Sequence, residues 1–374
     1  MMDLYNLILA GGVKKQSNLF ASGDMEDMNE DFKKYVDGTL TDVDRGMVDG
    51  VTDIRNRAFY QYAGLKSITI PYTTMNIGDY AFYQCSDLER VSIEAGTTNI
   101  GSQAFGGCTH LVDINIPSSI TSIGSSAFYD CSSLSSISIP STVTSFGANT
   151  FQGCSSLVSV SLPGGMTSIP AQCFYSCSSL ESIQIPERVE TIGYYAFGQC
   201  SSLTNVNIPK GVTSLNSSTF SYCTSLENIF IPDSITSIYS HVFSNCTSLI
   251  SISLPDTVTV LGNYCFRNCT SLTSVTLSKN ITSIGISTFE KCSSLTEIEI
   301  PSLVTEIGNK AFADCTSLAS ITLLPPNPPT LGTDVFLNVP NTLKIYVPSA
   351  SVTAYQSASG WSAYASQIEA IPSN

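Results

Sequence analysis

Cysteine is the residue whose type and spacing offer this chain the most chemistry. Eleven of its 13 cysteines, Cys85, Cys108, Cys131, Cys154, Cys177, Cys200, Cys223, Cys246, Cys269, Cys292 and Cys315, follow one another at intervals of 23 residues. A ladder of this kind is open to three readings: a disulfide framework, metal ligation, or buried core. Side chains that point in parallel from neighbouring strands stay near the strand spacing of about 4.8 Å, whereas a disulfide brings Cβ atoms to about 3.8 Å. The other two, Cys173 and Cys265, each precede a ladder member by four residues, so that Cys173 with Cys177 and Cys265 with Cys269 face one another across a helical turn. Zinc needs four ligands drawn together, and these pairs lie four repeats apart, about 19 Å at strand spacing. Buried free thiols, acting as small apolar side chains, fit the pattern best.

Other reactive groups are sparse. The chain has two histidines, His110 and His241, and neither belongs to a His-x-x-x-His arrangement that would hold zinc on a helix. No Gly-x-Ser-x-Gly is present to raise a serine nucleophile. Asn216, Asn245, Asn268 and Asn280 satisfy the glycosylation triplet, but the repeat itself generates such triplets. The expectation is a chain without catalytic residues, metal or cofactor.

Composition narrows the partners. The 374 residues carry a formal charge of −14 with only 16 Lys and Arg, which disfavours nucleic acid and anionic membrane surfaces. Nothing approaches the 18 consecutive apolar residues of a membrane span, and the early apolar run Leu4 to Ala10 lacks the basic flank of a secretory signal. A 43% hydrophobic content is ample for a long core. The carboxylates are uneven, with 11 of 30 between Asp3 and Asp53.

The elements that position these residues follow from the repeat. Phenylalanine keeps the 23-residue period from Phe59 to Phe312, three residues before the cysteine slot, and leucine keeps it from Leu65 to Leu318, three residues after. Tyr62 fills the first cysteine slot. Within a unit, Leu134 leads through two polar residues to Ile137-Ser138-Ile139-Pro140, the alternation of a strand rich in β-branched residues. Proline closes this strand in nine of twelve repeats, where it ends pairing without removing a needed donor. A second apolar pair, Val143 and Phe146 here, then leads to a glycine and an Ala-Phe-x-x-Cys turn of helical spacing. No 23-residue unit can bury its apolar side chains alone, so units must stack and share a core.

The pattern leucine, x, x, Ile or Val, x, Ile or Leu resembles the leucine-rich repeat. Thr121-Ser122-Ile123-Gly124-Ser125-Ser126-Ala127-Phe128 and Cys131-Ser132-Ser133-Leu134 resemble its BspA-like branch over about residues 51 to 348. The resemblance implies a right-handed repeat solenoid with one parallel strand per repeat, and an extracellular or cell-surface adhesin-like role. It implies no catalytic residues. The register slips at Leu324-Pro325-Pro326-Asn327-Pro328-Pro329, Ile345-Tyr346-Val347 supplies a thirteenth strand, and residues 349–374 read as a cap. Residues 1–50 lack the repeat and read as a cap or an attachment piece. Their opening, Asp3 to Gly12, resembles the start of small tail-associated proteins of gut bacteriophages, which implies a virion receptor-binding protein as the alternative to an adhesin.

The expected function is therefore binding of a protein or glycan on a cell surface. Residues two and four after each repeat leucine point outward, and most are small, such as Ser136, Ser138, Ser159 and Ser161. Departures from this mark candidate contacts: Arg90, Asn228 with Phe230, and Glu297 with Glu299. A rival surface is formed by Tyr80, Tyr83, Tyr129, Tyr175 and Tyr195, which flank the phenylalanine turns and are suited either to stack on sugars or to cover the edge of the core.

Overall fold

The computed structural model describes residues 34, 35 and 38–372. They fall into two compact units, Met1–Arg188 and Val189–Asn374, each built of parallel solenoid layers. The stretch Asp3 to Gly12 lies outside the described residues.

The first ladder is the expected one. In the first unit Asp42–Val43, Ser67–Ile70, Arg90–Ile93 and Asp113–Ile114 form one parallel sheet, and Ser136–Ser138 pairs with Ser159–Ser161. In the second unit Ser251–Ser253 pairs with Ser274–Thr276, and Glu297–Ile300, Ser320–Leu323, Lys344–Val347 and Ile368–Ala370 form a four-stranded sheet. The return segment adds a second, shorter ladder. It comprises Asp53–Ile54, Asn76–Ile77, Asn99–Ile100 and Ser122–Ile123 in the first unit, and Ser214–Leu215, Ser237–Ile238 and Val260–Leu261 in the second. Asp42 pairs with Ser67, 25 residues on, and from Ser67 partners are 23 residues apart, as in Ile68 with Val91, until the proline run shifts Ser320 onto Lys344.

The turn around each phenylalanine is not helical, despite its spacing. Its amides alternate between two directions. Gln103, Phe105 and Gly107 donate to the Ser125, Ala127 and Tyr129 carbonyls of the next layer at 2.9, 2.9 and 2.6 Å. Ala104, Gly106 and Cys108 instead donate three residues back within their own layer. This alternation demands a left-handed backbone two residues before and two after the phenylalanine. Among the described residues, 24 non-glycine residues hold φ between 49° and 64°, from Arg57 and Gln61 through to Asp334 and Asn338. The left-handed region costs an L-residue roughly 1–2 kcal/mol, and here it is offset by amides that satisfy the layer above. Where a glycine precedes the turn it serves clearance instead. A Cβ at Gly124 would lie 2.5 Å from the Ser102 backbone nitrogen, and one at Gly147 would lie 2.2 Å from that of Ser125. Asn216 and Tyr239 stand in the same column of the second unit, so the closeness of approach is set rung by rung.

Buried columns run through each unit. Phe82, Phe105, Phe128 and Phe151 stack with centroids 5.2 to 5.7 Å apart, and Phe220, Phe243, Phe266 and Phe289 do so at 5.4 to 5.8 Å. The repeat leucines and isoleucines close the core beside them. At the N-terminal side Tyr35 packs edge-on against Phe59 and donates its hydroxyl to Ala58 O at 2.9 Å. At the C-terminal side the buried Trp361 lies 6.3 Å from Phe336. Prolines offer no amide to a further rung, and their carbonyls accept side-chain donors instead. Tyr355 Oη donates to Pro325 O at 2.9 Å, Ser351 Oγ to Pro326 O at 2.7 Å, and Trp361 Nε1 to Pro329 O at 2.7 Å.

Two substitutions separate clearance from backbone strain. Gly124→Ala forces a methyl group against backbone and should lower stability by about 1–3 kcal/mol. Lys310→Gly, at an exposed residue with φ of 56°, relieves strain and should raise it by about 1 kcal/mol. Urea unfolding midpoints of the full chain check both signs.

Candidate recognition surfaces

The cysteine ladder forms part of the turn. All 13 cysteines are buried and free. Cys108 Sγ donates to Phe82 O at 3.1 Å and Cys131 Sγ to Phe105 O at 3.2 Å, each one rung back, and Cys246, Cys269 and Cys292 repeat the bond at 3.1 to 3.2 Å. The Phe82, Phe105, Phe220, Phe243 and Phe266 carbonyls thus each accept a cysteine amide of their own rung and a thiol of the next. Burial pushes the thiols up, to about 12 at Cys85, Cys246 and Cys315. The thiolate, the form that attacks or ligates, is suppressed.

The histidines stand apart. His110 is exposed, with Nδ1 2.6 Å from Ser86 O. His241 stacks on Tyr264 at 4.6 Å, and burial followed by the Arg267 charge lowers its pKa. Among the described residues no three His, Cys, Asp or Glu side chains gather as metal ligands, and no helix is long and apolar enough to cross a membrane.

The outward positions of the strand ladder are occupied as alternation dictates. Ser136, Ser138, Ser159 and Ser161 are exposed around half-buried or buried valine and isoleucine. Phe230 is 79% exposed, in a segment, 226–232, that forms no strand; Asn228 is exposed on the same rung. Arg90 is exposed and lies opposite Asp113 in the strand register. Glu297 and Glu299 are exposed opposite Ser320 and Thr322, three rungs from Phe230. The ladder therefore brings Asn228 to Phe230 and Glu297 to Glu299, and leaves Arg90 in the other unit.

The tyrosines divide similarly. Tyr80 and Tyr83 meet edge to face at 5.5 Å, and Tyr60 stacks on Tyr83 at 5.3 Å. Arg57, which sequence reasoning passed over, lies 5.6 Å from the Tyr60 ring and 5.5 Å from Tyr80; the signal was its place in the Tyr80 column, one repeat earlier. Tyr83 also covers Gly106, where a Cβ would lie 3.2 Å from its Cδ2. Tyr129 is half-buried, its pKa raised first by the Asp130 charge. Tyr175 is half-buried, while Tyr195, 38% exposed, meets Tyr194 at 6.3 Å in the second unit. Ring faces in the Tyr60, Tyr80 and Tyr83 group are largely spent on one another and on Arg57, so this surface offers ring edges more than stacking platforms.

A family model described as BspA type leucine rich repeat region matches in six copies, over residues 44–158, 121–250 and 236–359. The crystal structure of a leucine-rich repeat protein from Bacteroides ovatus is 31% identical, with 89% of this chain and 92% of that one covered and a TM-score of 0.72. That of a leucine rich cell surface protein from Faecalibacterium prausnitzii is 29% identical, with 86% and 84% covered and a TM-score of 0.55. No curated protein matches the chain.

Thiol titration tests the ladder. The native chain should resist alkylation at neutral pH, and all 13 thiols should react in denaturant without reductant. Fewer reactive thiols after denaturation would reveal disulfides.

Proposed function

The chain belongs to the BspA-type leucine-rich repeat family, and from that membership and its strand face we propose a non-enzymatic recognition module that binds a protein partner at a cell surface. The observation that carries this reading is Phe230. A 79% exposed phenylalanine on a ladder of serine, threonine and asparagine is apolar area that folding leaves in water, and aromatic anchors of this kind dominate binding energetics when a partner covers them. Repeat scaffolds use such fixed faces for binding because stacked layers hold each side chain in place. The Faecalibacterium prausnitzii relative is described as a cell surface protein, which supports the location.

Phe230→Ser tests the anchor. Partners recovered from intact cell surfaces by the full chain should bind the variant at least tenfold more weakly, about 1.4 kcal/mol, with the thermal unfolding midpoint unchanged. Unchanged affinity, with loss instead in Tyr129→Ala or Tyr175→Ala, would move the site to the turn face.

A further inference from the structure

The strand ladder of the first unit is interrupted. Ser159–Ser161 pairs with Ser136–Ser138 on one side, but Ser182–Ile183 belongs to a different sheet. An open groove of about 490 Å³ lies along this break, within the range of about 300–1,000 Å³ typical of small-ligand clefts. Its apolar wall is Val160, Leu162 and Pro186, and its polar rim is Ser159, Ser161 and Gln184. The break shows in burial. Val160 and Leu162 are half-buried, whereas the equivalent Ile137 and Ile139 of the preceding rung are buried.

The opening is a wedge rather than a slot for another strand. Glu181 N still reaches Val158 O at 3.4 Å, and Ser179 N reaches Ser155 O at 3.1 Å, just before the rungs part. An inserted peptide strand needs rungs about 9–10 Å apart, twice the strand spacing, which those bonds forbid. The side chains of Ser159, Ser161 and Gln184 have no hydrogen-bond partner among the described residues. Each can both donate and accept. No charged residue lines the groove.

We propose that this groove binds a neutral saccharide, a second recognition site separate from Phe230. A pyranose matches both walls. Its hydroxyl rim exchanges bonds with groups that donate and accept, and its C–H face covers Val160, Leu162 and Pro186. Anionic sugars meet no cation in the lining. Gly164 lies at the edge of the groove, where an added Cβ would meet nothing within 4 Å and the backbone is not left-handed, so a large side chain there fills the opening without straining the fold.

Saturation-transfer NMR on the full chain, with neutral gluco-, manno-, xylo- and galacto-oligosaccharides at millimolar concentration and oligogalacturonate as the anionic probe, tests the assignment. Saturable binding of a neutral series is expected, weakened at least tenfold by Gly164→Phe and severalfold by Gln184→Ala, and unaffected by Phe230→Ser. Should Gly164→Phe fail to fold, Gln184→Ala and Ser161→Ala provide the same reading. No binding of any neutral series, binding confined to oligogalacturonate, or binding indifferent to the groove variants would each overturn the proposal. Protein-partner affinity is read separately through Phe230→Ser, so failure of one site is distinct from failure of the other.

Discussion

Close approach of successive backbones at the phenylalanine turn is the constraint on which the rest of this structure depends. In turns such as those at Phe59, Phe105, Phe128 and Phe312 three amides reach into the next layer, and the residues two before and two after the phenylalanine are left-handed. The neighbouring consequences follow from that geometry. Glycines such as Gly124 and Gly147 clear the path of the adjoining backbone, phenylalanine rings fall into stacks, and each thiol reaches a carbonyl one rung back. Strain at many exposed residues is tolerated because every layer satisfies the next. Such a backbone has no stability as a single unit, which is the physical content of a repeat array.

The strand side is held less uniformly. Pairing there comes in short sheets, and the half-buried Val160 and Val275 each lie in a strand that borders an interruption. Half-buried Ile229 sits in the rung that forms no strand, beside exposed Phe230. Order is thus concentrated at the turns, while variation in side chain and spacing falls on the strand face. A scaffold divided in this way can alter what it presents without altering what holds it together. That division supports the proposal of recognition on the strand side, while the rings of the tyrosine group around Arg57 largely satisfy one another.

Much of the fold was legible in the sequence, because stacking places identical side chains one above another and so prints a period of 23 on Phe, Cys and Leu. Alternation around Ile137 and Ile298 located the first ladder, and it placed Phe230 outward. The turn conformation was not legible. Its left-handed positions hold residues such as Arg57, Tyr80, Gln103, Ser126 and Lys310, and only at Gly107 and Gly153 the glycines that announce such a backbone, because the demand comes from the neighbouring layer rather than from local preference. The spacing of Ala-Phe-x-x-Cys therefore looked helical. The groove beside Val160 was equally hidden, since it arises where two rungs part, and the local sequence Ser159-Val160-Ser161 looks like any other rung.

Native-state hydrogen exchange, resolved to single amides, addresses the interlayer turn bonds most directly. In the first unit the amides of Gln103, Phe105, Ser126 and Phe128, which donate to the layer above, should exchange only through the largest opening of their unit. Their protection should equal that of the strand amides around Ile68 and Val91. Rapid exchange at Gln103 and Ser126 while the strand amides stay protected would show that the turns are ordinary loops hung on a strand scaffold, and would contradict the account.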